Sequence, residues 1–330
     1  MNSKKINIGV IGSGHLGQYH VKHYKNMNNI NFLGLHDSNS ERGNEIAKKY
    51  ETKYFENVSN LMEICDGVSI VTPTESHYDV AKIALNEFCC NVFIEKPITE
   101  TISQADELIN YAQKNNLIIQ VGHIERLNPA LKTLEKYDIN PKFIDIQRLA
   151  PYTIRGTDVP VVLDLMIHDI DILLSLVKSK VKSIHASGVS ILTNSVDIAH
   201  ARIRFENGTV SSVTASRVAK DKVRKIKIFQ DNLYSTIDLL LEQTEIYNIT
   251  KDSNLIENAL QAEPFPVDNE KKYIVYEKPK IKNYDSLREE LNNFVNSILN
   301  IESPIVNGIE ARNALEVVIK INEMILEDLK

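Results

Sequence analysis

The chain has 330 residues, of which 43% are hydrophobic and 25% are charged, and its formal net charge is −6. This length and composition are typical of a soluble globular protein of about two domains. Because the charge balance is acidic and no long basic run occurs, nucleic acid and membranes are excluded as main partners, and we expect a small-molecule ligand.

Cysteine usage and the N-terminus indicate the compartment. Cys65, Cys89 and Cys90 are the three cysteines, and they have neither the number nor the spacing of a disulfide framework or a zinc site. We therefore expect reduced thiols in a cytoplasm and no bound metal. The first residues lead directly into a strand-like run, which leaves no room for a signal peptide, and no apolar run reaches membrane-spanning length.

The first 122 residues alternate short β-branched runs with longer amphipathic segments, which is the pattern of βαβ units in a parallel sheet. The predicted strands lie near 5–11, 31–36, 67–71, 91–94 and 117–121, and the predicted helices near 15–27, 40–49, 75–87 and 101–115. Residues 1–122 are therefore predicted to form an α/β Rossmann domain with a parallel sheet.

A glycine-rich hexapeptide, Gly12-Ser13-Gly14-His15-Leu16-Gly17, follows the first predicted strand. Its G-x-G-x-x-G spacing is common by itself, but here a helix follows it and the second strand ends in Asp37, about 20 residues later, as in dinucleotide-binding proteins. Gly12 permits a tight turn, Gly14 allows the backbone to approach a pyrophosphate, and Gly17 allows close helix packing. We expect these six residues and Asp37 to bind the cofactor.

The residue after the second strand predicts which dinucleotide binds. A carboxylate at Asp37 can accept hydrogen bonds from an adenosine ribose and repels a 2′-phosphate, and Ser38 is not a basic residue that could hold one. We therefore expect NAD, with NADP less favoured. A glycine-turn domain without a cofactor is the alternative.

Two later strands end in polar segments. The residues concerned are Thr72, Pro73 and His77 after the third strand, and Glu95, Lys96 and Pro97 after the fourth. Because the carboxyl ends of parallel strands line the ligand crevice, we expect both segments to face the nicotinamide half of the cofactor. The tripeptide Glu-Lys-Pro is not specific in itself, since Glu277-Lys278-Pro279 repeats it after another strand-like run. The interpretation rests on position.

From Pro141 the pattern changes to successive strands, predicted near 142–150, 181–192, 196–206, 209–217, 223–230, 233–238 and 244–249, with helices near 286–300 and 308–328. This pattern predicts an α+β domain over 123–330 with a large, mostly antiparallel open sheet. The helix at 308–328 is free to pack back on the first domain. The polar segment 252–271 is interpreted as a long excursion between strands, and the basic alternation over 223–229 as a solvated face or a subunit interface.

One predicted helix, over 163–177, is too apolar for a surface yet carries a polar stripe. Asp164, His168, Asp171 and Ser175 fall at i, i+4, i+7 and i+11, which places them on one face of an α-helix. Because unpaired buried charge is costly, something polar should lie opposite them. A structural hydrogen-bond network, a metal site and a catalytic site are all compatible with the stripe alone.

Together, the glycine motif, Thr72-Pro73 with His77, the first Glu-Lys-Pro and Asp164-x-x-x-His168 resemble the Gfo/Idh/MocA family of NAD(P)-dependent oxidoreductases over essentially the whole chain. The resemblance implies a Rossmann domain followed by a domain whose open sheet mediates homo-oligomerisation, as a dimer or tetramer. It also implies catalysis by Lys96, Asp164 and His168 on sugars, cyclitols or sugar nucleotides. His168 would be the general acid/base and Lys96 would stabilise alkoxide character, although these two roles could be exchanged.

Segments 122–130, 148–151 and 155–164 look like those of bacterial dehydrogenases that oxidise C3 of UDP-N-acetylglucosamine. On that resemblance Arg148, Arg155 and Thr157 would meet the substrate, since arginine suits bidentate phosphate contacts. His123, Glu125 and Arg126 would contact a ligand, or Glu125 would form a structural ion pair. A dehydrogenase of a simple sugar or cyclitol and a non-catalytic NAD-binding regulator are the alternative functions.

Overall fold

The computed structural model describes residues 5–153, 159–267 and 270–330. Its strands are β1 (Ile6–Ile11), β2 (Ile30–His36), β3 (Gly67–Ile70), β4 (Asn91–Glu95), β5 (Ile119–Gly122), β6 (Phe143–Leu149), β7 (Val181–Val189), β8 (Ile198–Phe205), β9 (Val210–Ser216), β10 (Val223–Gln230), β11 (Leu233–Asp238), β12 (Gln243–Thr250), β13 (Gln261–Val267) and β14 (Glu270–Glu277). Its helices are α1 (Gly17–Lys25), α2 (Ser40–Lys49), α3 (Val58–Met62), α4 (His77–Asn86), α5 (Ile102–Asn115), α6 (Pro129–Lys132), α7 (Ile167–Val177), α8 (Ser253–Asn258), α9 (Ser286–Ile298) and α10 (Gly308–Asp328).

The chain forms two compact units. Unit 1 contains residues 1–124 and 285–316, and unit 2 contains residues 125–284 and 317–330. Residues 285–316 therefore group with the N-terminal part of the chain. The predicted domains, 1–122 for the cofactor and 123–330 for the substrate and oligomerisation, stay predictions as functional units.

Unit 1 is built on a parallel sheet of five strands in the order β2-β1-β3-β4-β5. Ile8, Val10, Val21, Phe93 and Phe294 are fully buried in one cluster on β1, α1, β4 and α9. Burying side chains of this size stabilises the fold by about 1.5–3 kcal/mol each. Local signals set the ends of some helices. A capping box formed by Thr101 and Gln104, for example, begins α5.

Unit 2 is built on a sheet of nine strands in the order β13-β14-β12-β11-β10-β6-β9-β8-β7. All neighbouring pairs are antiparallel except β6 with β9. One face buries apolar residues such as Ile144, Ile146, Ile226 and Ile228, and α7 lies against β6 on that side. The predicted fold class, a parallel Rossmann sheet plus a mostly antiparallel sheet, is confirmed.

Three predictions about elements need correction. Segment 252–271 is not an irregular excursion, because it contains α8, β13 and the start of β14. Pro264 and Pro266 lie on β13, which among the described strands pairs with β14 alone. Proline is tolerated on an edge strand because the missing N–H faces no partner. Helix α3 was not predicted, and the helix predicted from residue 163 begins as a π-helical turn, Val162–Met166.

No helix among the described residues is both long and apolar enough to cross a bilayer.

Candidate functional site

The glycine-rich loop after β1 has the geometry of a dinucleotide site. Gly12 has φ of +92°, and a Cβ at this position would lie 2.5 Å from the carbonyl oxygen of Val71. A Cβ at Gly17 would lie 2.1 Å from the Gly12 oxygen, so both positions require glycine. A Cβ at Gly14 would meet nothing within 4 Å. The loop is therefore tight on the protein side and open at Gly14, where a pyrophosphate would approach.

Asp37, which is predicted to bind the ribose, anchors this loop. Its Oδ2 accepts hydrogen bonds from the backbone N and the Oγ of Ser13, at 2.6 and 2.7 Å, and its Oδ1 accepts one from Asn39 N at 2.9 Å. A carboxylate has about four acceptor positions, so capacity is left for ribose hydroxyls. Ser13 is fully buried, which makes it part of the loop framework.

Arg42, which was not predicted as a site residue, has a side chain that reaches the glycine loop. Its Nε donates to Ser13 O at 3.1 Å and its Nη1 donates to Glu45 at 2.8 Å. Arg42 lies on α2 and is half-exposed. The sequence did contain a signal for Arg42, because it is a basic residue near the start of the helix that follows Asp37. Arg42 and Asp37, the carboxylate that is expected to select NAD, therefore both hydrogen-bond to Ser13 of the glycine loop.

His77 braces the ends of β3 and β4. Its imidazole is buried, with Nδ1 2.8 Å from Pro97 O and Nε2 2.9 Å from Thr72 O. Both ring nitrogens are therefore engaged by backbone carbonyls. This geometry favours a bracing role, and the predicted contacts of Thr72, Pro73 and His77 with the cofactor stay predictions.

Glu95 ends β4, and Lys96 follows it as a half-buried residue joined to Pro97 by a cis peptide bond. Glu95 Oε1 lies 3.2 Å from Nε2 of His20, a fully buried residue of α1. A Cβ at Gly122 would lie 2.8 Å from the Glu95 carboxylate, so glycine opposite Glu95 makes room for that side chain. The Glu95–His20 pair joins the end of β4, next to Lys96, to α1, the helix that follows the glycine loop. His20 was not predicted.

Within unit 2, Asp164 lies on the π-helical turn Val162–Met166, and His168 lies in the first turn of α7. Both side chains are half-buried. A π-turn inserts an extra residue per turn, so the i, i+4 spacing predicted for a regular α-helix does not hold across this segment. Such turns occur frequently at functional sites. The two predicted catalytic residues therefore lie on an irregular segment next to a regular helix.

The rest of the predicted stripe is structural. Asp171 accepts two hydrogen bonds from Arg126, from Nε at 2.7 Å and from Nη2 at 2.9 Å. Ser175 Oγ donates to Ile172 O at 2.7 Å. A structural hydrogen-bond network was one of the possibilities predicted for the stripe, and these bonds support it for Asp171 and Ser175. Arg126, which was considered as a ligand contact, pairs with a carboxylate of its own unit.

Arg148 is buried in an ion-pair network. Its guanidinium donates to both oxygens of Asp169, from Nε at 3.0 and 2.9 Å, and to Glu125 from Nη1 at 3.0 Å. Glu125 also accepts from Arg224 at 2.9 Å, so the predicted structural ion pair of Glu125 with a cation is confirmed. Only 3% of the Arg148 side chain is exposed. A substrate contact by Arg148 stays a prediction, and its geometry favours a structural role.

Burial and charge oppose each other in this network. Burial raises the pKa of Asp169, and the Arg148 guanidinium offsets that in part. Burial alone would lower the pKa of Arg148, but the carboxylates of Asp169 and Glu125 outweigh it and raise the pKa above its ordinary value. Arg148 is therefore firmly charged, and it fixes α7 to β6.

The remaining predicted residues differ in how much the structure describes of them. Arg155 and Thr157 lie outside the described residues. His15 and Leu16 are exposed on the glycine loop, and the His15 ring lies edge-on to Tyr19 with centroids 5.8 Å apart. His123 is buried after β5. The described ranges contain no group of three or more His, Cys, Asp and Glu side chains that could hold a metal ion.

Family models match most of the two-part chain. The model described as "Oxidoreductase family, NAD-binding Rossmann fold" of Gfo/Idh/MocA proteins matches residues 6–123. The model of the Gfo/Idh/MocA C-terminal domain matches residues 150–232. The first match includes the glycine loop and Lys96, and the second includes Asp164 and His168.

Individual relatives extend the similarity to nearly the full length. The chain is 33% identical over 314 residues to UDP-N-acetylglucosamine 3-dehydrogenase of Acidithiobacillus ferrooxidans, covering 95% of each chain. The solved structure of that enzyme from the same organism matches with a TM-score of 0.88 and 31% identity, covering 99% of this chain and 100% of the other. Myo-inositol 2-dehydrogenase of Thermotoga maritima is 24% identical over 338 residues, covering 94% of this chain and 93% of the relative.

Proposed function

Because the chain belongs to the Gfo/Idh/MocA family of NAD-binding oxidoreductases, as its residues predicted, we propose that it oxidises a secondary hydroxyl of a sugar nucleotide. The substrate we propose is UDP-N-acetylglucosamine, oxidised at C3 to the 3-keto sugar with NAD as the acceptor. The observation that carries this proposal is similarity to a UDP-N-acetylglucosamine 3-dehydrogenase at 33% identity over 95% of both chains. That similarity extends across both compact units.

The glycine loop fits the proposed cofactor. Gly14 leaves open space where a pyrophosphate would lie, and α1 begins at Gly17 directly after the loop, so the positive end of its dipole would favour that anion. Asp37 has acceptor capacity for the adenosine ribose. When bound, NAD supplies a hydride acceptor at the nicotinamide ring. The remaining residues proposed to hold it are Ser13, His15, Leu16, Thr72, Pro73, His77, Glu95 and Lys96.

The protein residues handle the proton and the charge. Removing a hydride from a carbinol carbon requires removal of the hydroxyl proton, and His168 is proposed as the base because imidazole titrates near neutral pH. Lys96 would donate a hydrogen bond to the reacting oxygen and stabilise its alkoxide character. Asp164 would orient the imidazole or bind a neighbouring sugar hydroxyl. An exchange of the His168 and Lys96 roles is the alternative.

A substrate screen tests the proposal. Purified protein with NAD should form NADH with UDP-N-acetylglucosamine, and reduction of the product by borodeuteride should place deuterium at C3. Faster turnover with myo-inositol or free N-acetylglucosamine would favour the second candidate, a simple sugar or cyclitol dehydrogenase, which the similarity to myo-inositol 2-dehydrogenase supports. A non-catalytic NAD-binding regulator would form NADH with none of the sugars in a broad panel. That result would reject the enzyme assignment.

We also propose that the protein is a cytoplasmic homo-oligomer, a dimer or tetramer that associates through the open face of the unit 2 sheet. Five aromatic rings form a row on this face, with neighbouring centroids between 4.8 and 5.9 Å apart: Phe143, Phe229, Tyr234, Tyr247 and Tyr276. Phe143, Phe229 and Tyr247 are exposed. A contiguous aromatic row is typical of a surface that is covered by a partner. The three cysteines are free thiols, which agrees with a reducing compartment.

A further inference from the structure

Arg224 and Arg148 are two arginines that share one carboxylate but differ in exposure. They lie opposite each other in the register of β10 and β6. Both donate to Oε1 of Glu125, Arg148 from 3.0 Å and Arg224 from 2.9 Å. The Arg148 side chain is 3% exposed, whereas that of Arg224 is 43% exposed. The network therefore has an interior end at Arg148 and a solvent end at Arg224.

The two guanidinium groups also differ in how many donors they have left. Arg148 is engaged by both oxygens of Asp169 and by Glu125. For Arg224, the bond from Nη1 to Glu125 is its one hydrogen bond within the described parts of the chain. Its Nε and Nη2 donors are thus available to a ligand, while Glu125 holds the guanidinium in place.

A chain of hydrogen bonds connects Arg224 with the proposed catalytic helix. Arg148 binds Asp169, the residue that follows His168 on α7. Because each link from Asp169 to Arg224 is a direct hydrogen bond, the Arg224 guanidinium lies a few ångströms from the network that fixes this helix to the sheet. A half-exposed arginine with a fixed orientation and two available donors is suited to bidentate phosphate binding.

We propose that Arg224, and not Arg148, binds the diphosphate of the nucleotide-sugar substrate. This inference rests on the proposed function, since it names the residue that holds the charged part of that substrate. Phosphate oxygens would accept from Nε and Nη2 of Arg224, while Glu125 keeps Nη1. The residue would set substrate class, because a neutral sugar or cyclitol offers no anion to this guanidinium.

The test compares Arg224→Gln with Lys225→Gln. Lys225 is the next residue on β10, its side chain is 47% exposed, and alternation along the strand directs it to the other face of the sheet. Steady-state kinetics with UDP-N-acetylglucosamine and NAD, and calorimetric titration with UDP alone, are measured for both variants and for Arg224→Lys. The thermal midpoint of each variant reports whether the network is intact.

For Arg224→Gln we expect the KM for UDP-N-acetylglucosamine and the Kd for UDP to rise about tenfold or more, as for the loss of a charge-assisted hydrogen bond. The KM for NAD and kcat should change less than about threefold, because neither depends on binding of the sugar nucleotide's diphosphate. Lys225→Gln should behave as the wild type. Arg224→Lys, which keeps the charge but not the fork, should fall between them and also serves if Arg224→Gln does not fold.

The outcomes separate the two proposals. A wild-type protein that oxidises UDP-N-acetylglucosamine, with the Kd for UDP unchanged in Arg224→Gln, overturns the assignment of Arg224 and leaves the proposed function standing. A fall in kcat with unchanged UDP binding also overturns it, because that result assigns Arg224 to the structure of the network. A wild-type protein that neither oxidises this substrate nor binds UDP overturns both.

Discussion

A carboxylate that already holds a protein loop can also select the cofactor, and Asp37 is in this position. Replacing it with alanine removes the bonds to Ser13, together with the acceptor proposed for the ribose and the repulsion proposed against a 2′-phosphate. We expect Asp37→Ala to weaken NAD binding about tenfold or more, because hydrogen bonds to charged groups contribute about 1.5–3 kcal/mol. The preference for NAD over NADP should also shrink, since the carboxylate that repels a 2′-phosphate is lost. Fluorescence titration with NADH and NADPH measures both effects.

Ser13→Ala is the matched control for that change. It removes the hydrogen bond from Ser13 Oγ to Asp37 but keeps the carboxylate and the backbone bond. This variant should retain the preference for NAD even if it binds both dinucleotides more weakly. An Asp37→Ala protein that keeps the wild-type ratio of the two affinities would remove Asp37 as the determinant of cofactor choice.

The roles proposed for Lys96 and His168 can be tested by comparing the rate of hydride transfer with cofactor affinity in the same variants. Lys96→Met and His168→Asn should each lower the rate of hydride transfer by about 10²–10⁴-fold, the usual contribution of a general acid or base. NADH binding should stay near the wild-type value in His168→Asn, and in Lys96→Met it should change far less than the rate, although Lys96 is also proposed to contact the cofactor. Single-turnover formation of NADH under saturating substrate gives the rate, and fluorescence titration gives the affinity.

The second Glu-Lys-Pro copy supplies an internal control for Lys96. Lys278 is exposed after β14 and donates to Gln243 at 3.2 Å. Lys278→Met should therefore leave turnover unchanged, although it makes the same replacement in the same tripeptide. Near-normal turnover in both Lys96→Met and His168→Asn would reject their catalytic assignment.

At the scale of single residues, the sequence predicted glycine positions well and arginine roles poorly. Gly12 and Gly17 are dictated by local backbone contacts, which a short motif encodes. Whether an arginine is buried depends on which carboxylates the fold brings to it from distant segments. Glu125 and Asp169 reach Arg148 from 23 and 21 residues away. No periodicity in one segment could have distinguished the buried Arg148 from the half-exposed Arg224.

At the scale of helices and strands, the predicted elements of unit 1 agree closely with the structure, because β-branched runs and amphipathic periods alternate there without interruption. The errors have physical causes. Helix α3 has only five residues, which is too short to show a period. Strand β13 carries two prolines, which usually argue against a strand but are compatible with an edge.

The turn between β7 and β8 depends on one carboxylate. Asp197 is fully buried and its Oδ2 accepts from the backbone N of Ile191, Leu192 and Thr193, at 2.7, 2.6 and 3.0 Å. Burial acts to raise the pKa of Asp197, but these bonds outweigh it and lower the pKa to about 2. The same turn supports the segment proposed to be catalytic, because Val196 O accepts from Val161 N just before the π-helical turn.

This turn predicts a dependence of stability on pH. Since the pKa of Asp197 is lowered on folding, its contribution is complete above the unfolded value of about 3.9 and is lost as pH falls through about 2. The free energy of unfolding of the wild type should therefore fall more steeply over that window than that of Asp197→Asn. Urea unfolding at several pH values measures the difference, and hydrogen exchange of the 191–193 amides localises it.

Asp231→Asn is the control for Asp197, because its carboxylate is 80% exposed. It should leave the acid dependence as in the wild type. If Asp197→Asn and Asp231→Asn show the same pH profile as the wild type, the carboxylate does not stabilise the turn.

At the scale of the whole molecule, the self-association proposed for the open face of the unit 2 sheet can be tested through a row of charges on that face. One row across it runs Arg202, Ser212, Asp145, Lys227, Thr236 and Glu245 through consecutive strand registers. The signs are positive, neutral, negative, positive, neutral and negative. A two-fold axis parallel to the strands, between β6 and β10, would place every charge opposite its complement in a second copy. Arg202 would meet the partner's Glu245, and Asp145 would meet the partner's Lys227.

This arrangement predicts that two defective variants repair each other. In Arg202→Glu or Glu245→Arg, each homodimer would place like charges together at both symmetry-related contacts, which is destabilising. Light scattering should show a molar mass lower by half or more for each variant alone. In an equimolar mixture, a heterodimer pairs glutamate with arginine at both contacts, so the wild-type mass should return. Two variants that keep the wild-type mass alone, or a mixture that stays dissociated, would contradict association through this face about this axis.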